Sequence, residues 1–142
     1  MTNEKAQSAL EYLMTYGWAL IVIIIAIAAA VTLIPKAPPS CTGFQKLVIT
    51  NYNLTSNGLG IAITNGTGRT ISNSNFNAVF VMNENQVADV NYNAGNVSQG
   101  ALINLNLNPG TTLTGEIRVN ITATYFDGDF NRIEKANCVG SL

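Results

Sequence analysis

A chain of 142 residues with a formal net charge of −1 has room for one domain and an appendage, and its near-neutral balance gives no electrostatic footing for nucleic acid or an acidic substrate. Charged residues make up 11 % of it, well under the usual quarter, and it has no histidine, which removes the commonest general base and metal ligand. Asn, Thr, Ser and Gly supply most of the polarity.

The first element is an apolar helix. From Tyr12 to Ile34 no residue is charged, and that stretch is long enough to span a bilayer. "ALIVIIIAIAAAV" (Ala19 to Val31) is apolar on every face, so the helix is buried all round, in lipid or in protein. Pro35 cannot continue it, and "PKAPPS" (Pro35 to Ser40) reads as a stiff, extended exit. Lys5 on the near side places the N-terminus in the cytoplasm.

One residue breaks the pattern. Glu11 sits at the very edge of the apolar run. A secretory signal peptide, for which "AIAAA" (Ala26 to Ala30) would be the cleavage site, expects a shorter apolar region and basic residues where Glu11 lies. A plain signal-anchor explains the length and leaves Glu11 unexplained. Tyr12, Tyr16 and Trp18 flank it, either as an interfacial aromatic belt or as packing between helices.

After Cys41 the pattern changes to short alternating runs punctuated by Asn and Gly. The expected strands are Phe44 to Tyr52, Leu59 to Thr64, Phe76 to Met82, Gln86 to Tyr92, Ala101 to Leu107, Leu113 to Phe126 and Phe130 to Cys138. "GRTIS" (Gly68 to Ser72) is an eighth candidate, and the last two strands meet across "DGD" as a hairpin. In "LINLNL" apolar and polar residues alternate, giving one dry and one wet face. Regular short strands of this kind predict an all-β sandwich. The class is therefore α+β, a long hydrophobic N-terminal helix followed by a β-sandwich head. Cys41 and Cys138 bracket the head, a placement that suits a disulfide in an oxidising compartment, two buried thiols being the other reading.

No residue set for catalysis emerges. Without histidine there is no Ser/His/Asp arrangement, and no phosphate-cradling Gly motif is visible. Asp127, Asp129, Asn131 and Glu134 superficially resemble a calcium loop. The EF-hand pattern, however, needs Gly at its sixth and Glu at its twelfth position, where this chain has Arg132 and Cys138. Glu116 and Arg118, two apart on a strand, read as a solvated pair. The expectation is a non-enzyme with no metal and no cofactor. Four sequons stand at Asn53, Asn65, Asn96 and Asn120, the first three expected in loops and the last within a strand; each is a potential glycan acceptor outside the membrane.

"KAQSALEYLMTYGWAL" (Lys5 to Leu20) resembles the N-terminal segment of archaeal type IV pilins. Family precursors carry a short charged leader, a small residue before the cut, Gln at the new N-terminus and Glu at the fifth mature position. The resemblance covers roughly Lys5 to Ile34. It implies a leader at 1–6 cut between Ala6 and Gln7, a membrane and filament-core helix at 7–35, a proline-rich linker at 36–40 and a head at 41–142. The head likewise resembles the immunoglobulin-like heads of archaeal pilins and flagellins. The implied function is a structural subunit of an extracellular pilus, polymerising through its helix for adhesion. Implied partners are other copies of the chain, a prepilin peptidase, and an assembly ATPase with its membrane platform. In this reading the new α-amine at Gln7 pairs with Glu11, of its own or a neighbouring chain. The rival class is a monomeric adhesin or solute-binding domain on a simple anchor.

Overall fold

The computed structural model describes the backbone of residues 2–34 and 38–142 and the side chains of 5–34 and 38–142. Met1, Pro35, Lys36 and Ala37, the last two being the start of the expected linker, lie outside the described residues. The chain divides into two units, Met1–Pro35 and Lys36–Leu142.

The first unit is a single helix, α1 (Thr2–Leu33). It begins earlier than the expected position 7, so Ala6 and Gln7 lie within continuous helix. From Tyr12 to Leu33 it runs roughly 33 Å at about 1.5 Å per residue, matching the ~30 Å hydrocarbon core of a bilayer. Its residues from Lys5 to Leu33 form a segment long and apolar enough to cross a membrane.

The second unit is a sandwich of eight strands: β1 (Ser40–Thr42), β2 (Leu47–Thr55), β3 (Gly58–Asn65), β4 (Ile71–Met82), β5 (Asn85–Val97), β6 (Leu102–Leu107), β7 (Glu116–Phe126) and β8 (Asn131–Ser141). Five form one sheet in the order β1-β8-β7-β4-β5 and three the other in the order β2-β3-β6, all antiparallel. β2, β3 and β6 hold the places of immunoglobulin strands A, B and E. β5, β4, β7 and β8 hold those of C′, C, F and G, with β1 an added edge strand.

The strand count needs two corrections. β1 was not expected, because three residues show no alternation. "GRTIS" is no separate strand. Its Ile71 and Ser72 open β4, which bends at Asn73 (φ 52°) and shifts register before Asn75. The alternation read elsewhere holds: in β7 Ile117, Val119, Ile121, Ala123 and Tyr125 all point inward, and in β6 Ile103, Leu105 and Leu107 do. They meet Phe76 and Phe80 of β4 and Leu59, Ile61 and Ile63 of β3 in one core.

The two ends of the sandwich differ. At the hairpin end lie the β7–β8 turn Asp127 to Phe130, the β3–β4 loop and the start of β2. At the entry end Ser40 of β1 pairs with Val139, near the β4–β5 turn. That turn is a two-residue loop, Asn83 and Glu84, both at positive φ (49° and 70°) as the favoured hairpin twist requires.

Candidate functional site

At the N-terminal end of α1, Gln7 and Glu11 stand one turn apart on one helix face, both exposed. The Tyr12 and Tyr16 rings stack at 5.8 Å with planes 9° apart, so the shared face read from their spacing is present. Trp18 projects with 72 % of its surface exposed, and Leu13, Met14 and Ile21 are open too. The aromatic cluster therefore exposes a large apolar area on the helix. The Ala6–Gln7 bond lies within the first two turns of the helix.

In the head, Cys41 and Cys138 are directly opposite in the β1–β8 register and are joined as a disulfide. The sequence separation is 97 residues, a loop whose closure constrains the unfolded chain by roughly 4–5 kcal/mol.

The four sequons fall in different settings. Asn53 is exposed, in β2 rather than a loop, and Asn96 is exposed, in β5 rather than a loop. Asn120 is exposed on β7, in a strand as expected. Asn65 is the exception. It closes β3 with 1 % of its surface exposed, and its Nδ2 donates to the carbonyls of Arg69, Val97 and Ser98. Its Oδ1 accepts from the Thr67 N–H and hydroxyl. Both ends of the Asn65 amide are thus engaged in pinning the β3–β4 and β5–β6 loops together, and Asn65 is a buried strand residue rather than the loop residue expected.

The outer face of the three-stranded sheet carries a shallow trough. Asn51 and Asn104 flank Ala62, and Asn53 and Asn106 flank Gly60, in successive cross-strand rows. Its volume is about 270 Å³, and small residues on β3 form the floor.

The acidic residues of the β7–β8 hairpin are structural. Asp127 accepts from the N–H groups of Asp129 and Phe130 through Oδ1 and from Arg132 Nε at 2.7 Å through Oδ2. The Phe130 N–H first, then Arg132 and the Asp129 N–H, hold its carboxyl well below the usual carboxylate range. Asp129 pairs with Arg69 of the β3–β4 loop. Glu134 Oε1 accepts the N–H groups of Gln45 and Lys46 at 2.7 and 2.6 Å, and Oε2 accepts the Tyr125 hydroxyl. Gly43 (φ +129°) makes this contact reachable: a Cβ there would stand 2.6 Å from the Lys135 carbonyl oxygen. Among the described residues no group of three or more Cys, Asp or Glu side chains is placed to hold a metal ion. Glu116 and Arg118 share a face of β7 but form no ion pair among the described residues.

Sequence reasoning missed the roles of Asn65 and Glu134. Asn65 was readable as a turn residue in "NGTG", but its partners more than thirty positions away carry no local signal. No family model matches the chain, and no curated protein matches it.

Proposed function

We propose that this chain is a structural subunit of an extracellular filament of the archaeal type IV pilus kind, polymerising through α1 and not acting as an enzyme. One observation carries the reading: Gln7 and Glu11 sit one turn apart near the N-terminal end of a helix long and apolar enough to cross a membrane. Such a helix has no face to offer water. Before assembly it resides in the membrane, with Glu11 hydrated at the cytoplasmic boundary. In a bundle of identical helices Glu11 becomes buried, and a buried carboxylate needs a partner. Cleavage after Ala6 supplies one, the α-amine of Gln7, on the same or a neighbouring helix. The positive end of the helix dipole favours the carboxylate as well.

The head then forms the outer layer, a domain closed by its own disulfide. A prepilin peptidase, an assembly ATPase and its membrane platform are the partners this route requires. The exposed sequons Asn53, Asn96 and Asn120 are the glycan acceptors of a weakly charged surface. Electron microscopy of sheared cell-surface material, with intact mass of the purified subunit, tests the proposal. Filaments whose subunit begins at Gln7 are the expected result. A monomer anchored in the membrane with residues 1–6 retained and no filaments refutes it.

A further inference from the structure

We propose that a glycan on Asn96 folds back into the cleft between β5 and β6 and covers the seam where the two sheets part; this rests on the extracellular placement of the head in the reading above, not on polymerisation. Asn96, Val97 and Ser98 form a sequon whose asparagine is exposed. A bulge sets its aim. Tyr92 lies opposite buried Phe76, and Val97 opposite buried Ile71. Cross-strand partners share a face, so Tyr92 and Val97 both belong to the inner face of the sheet. In an unbroken strand their odd spacing would put them on opposite faces. The extra residue is Ala94: β5 takes two steps from Asn93 to Gly95 where β4 takes one from Asn75 to Ser74, and Gly95 sits at φ 64°. Val97 thereby turns inward and Asn96 turns away from the core. Asn65 then fixes the backbone beside it, its Nδ2 donating to the carbonyls of Val97 and Ser98.

Asn96 itself lines a cleft of about 360 Å³, together with Tyr92, Asn93 and Ala94 of β5 and Leu102 and Asn104 of β6. β5 and β6 are edge strands of different sheets, so the cleft opens along the seam between them. Its lining is mixed. Tyr92 and Leu102 leave 38 % and 55 % of their surfaces exposed, and the Asn93 and Asn104 amides add donors and acceptors. A sugar ring is built the same way, with C–H groups on its faces and hydroxyls around its rim. Apolar walls with a few placed polar groups are what small-molecule clefts use. Tyr92 stands roughly 13 Å along β5 from Asn96 at ~3.3 Å per residue, so the first few sugars, not the first alone, reach it. Covalent attachment at the rim keeps them at high effective concentration, and weak contacts then suffice. Sugar lying there also blocks strand addition along two unpaired sheet edges.

Glycopeptide mapping of the native full-length subunit, with hydroxyl-radical footprinting of Tyr92 and Leu102, tests this. The wild type should carry sugar at Asn96. Asn96→Gln and Ser98→Ala destroy the sequon from either end, and both should raise oxidation of Tyr92 and Leu102 several-fold. Asn120→Gln, two strands away on β7, should leave that oxidation unchanged. An Asn96 without sugar, or equal oxidation of Tyr92 and Leu102 with the sequon and without it, overturns the covered seam whether or not filaments form. Sugar at Asn96 with Tyr92 protected, in a subunit that forms no filaments, overturns the polymer reading and leaves the covered seam standing.

Discussion

Tyr125 and Glu134 are diagonal neighbours on the β7–β8 ladder, Glu134 lying opposite Ala123, and the Tyr125 hydroxyl donates to Glu134 Oε2 at 2.7 Å. The other carboxylate oxygen holds the N–H groups of Gln45 and Lys46, so one side chain fastens the β1–β2 segment to the far sheet. Burial of the phenol, with the Glu134 hydrogen bond and charge adding to it, pushes the Tyr125 hydroxyl far above its ordinary value. A raised folded-state value means the contribution is fully present below the unfolded value of about 10 and is lost as pH rises beyond it.

Head stability should therefore decline above about pH 10, and Tyr125→Phe should flatten that alkaline limb. Glu134→Ala leaves the buried hydroxyl and two N–H groups without their acceptor and should cost about 1–3 kcal/mol. Thermal denaturation of the full chain in detergent, followed by circular dichroism across pH, measures both. An alkaline limb unchanged in Tyr125→Phe would show that the hydroxyl does not govern it.

Asp127 acts in the opposite direction. Its folded value is depressed, so its contribution is present above the ordinary carboxylate value of about 4 and fades as pH falls below it. Asp127→Asn should lower the midpoint at neutral pH and lessen its fall in acid. The same pH series reads this out; an acid limb identical in both proteins contradicts the assignment.

Asn65 should remain unmodified whatever glycosylation the chain carries. Glycopeptide mapping of native material should find sugar only at Asn53, Asn96 or Asn120. Asn65→Ala removes the donor to Val97 and Ser98 and should destabilise by about 1–3 kcal/mol, whereas Asn53→Ala on the exposed sheet face should be nearly neutral. A glycan found on Asn65 in folded protein would refute the burial argument.

Glu11→Gln tests the assembly reading. If Glu11 only orients an anchor, a polar residue of the same shape leaves filaments nearly unchanged. If it meets the Gln7 amine in a dry bundle, the substitution strands that amine, a loss of about 3–5 kcal/mol that water or deprotonation softens. The expected phenotype is subunit trimmed at Gln7 and held in the membrane with few filaments. Counting filaments on cells whose only copy is Glu11→Gln decides between the two.

Local pattern carried the architecture. The apolar run announced α1, and alternation in "LINLNL" and "IRVNITATY" announced β6 and β7 with the correct inward faces. What escaped was whatever lacked a local period. β1 is three residues long and exists because Cys138 and its neighbours offer it a partner. The first half of β4, "ISNSN", is polar and kinked at Asn73, so it resembles a loop until β5 and β7 pair with it. Glu134 read as a candidate ligand because carboxylates cluster near it in sequence. Its partners, Gln45 and Lys46, lie almost ninety positions upstream.

The Cys41–Cys138 bond also sets where a pull on the chain is felt. β1 alone would resist with three residue pairs at a sheet edge, stripped one after another. With the bond in place, tension arriving from the helix side crosses at Cys41 into β8, and every strand from β2 to β7 lies inside the covalent loop and is bypassed. Within the head, only the few residues outside that loop can be drawn straight. A load borne between the helix and the C-terminal strand can therefore drag the head but not unravel it, until the bond is reduced and the same load begins to peel β1 away.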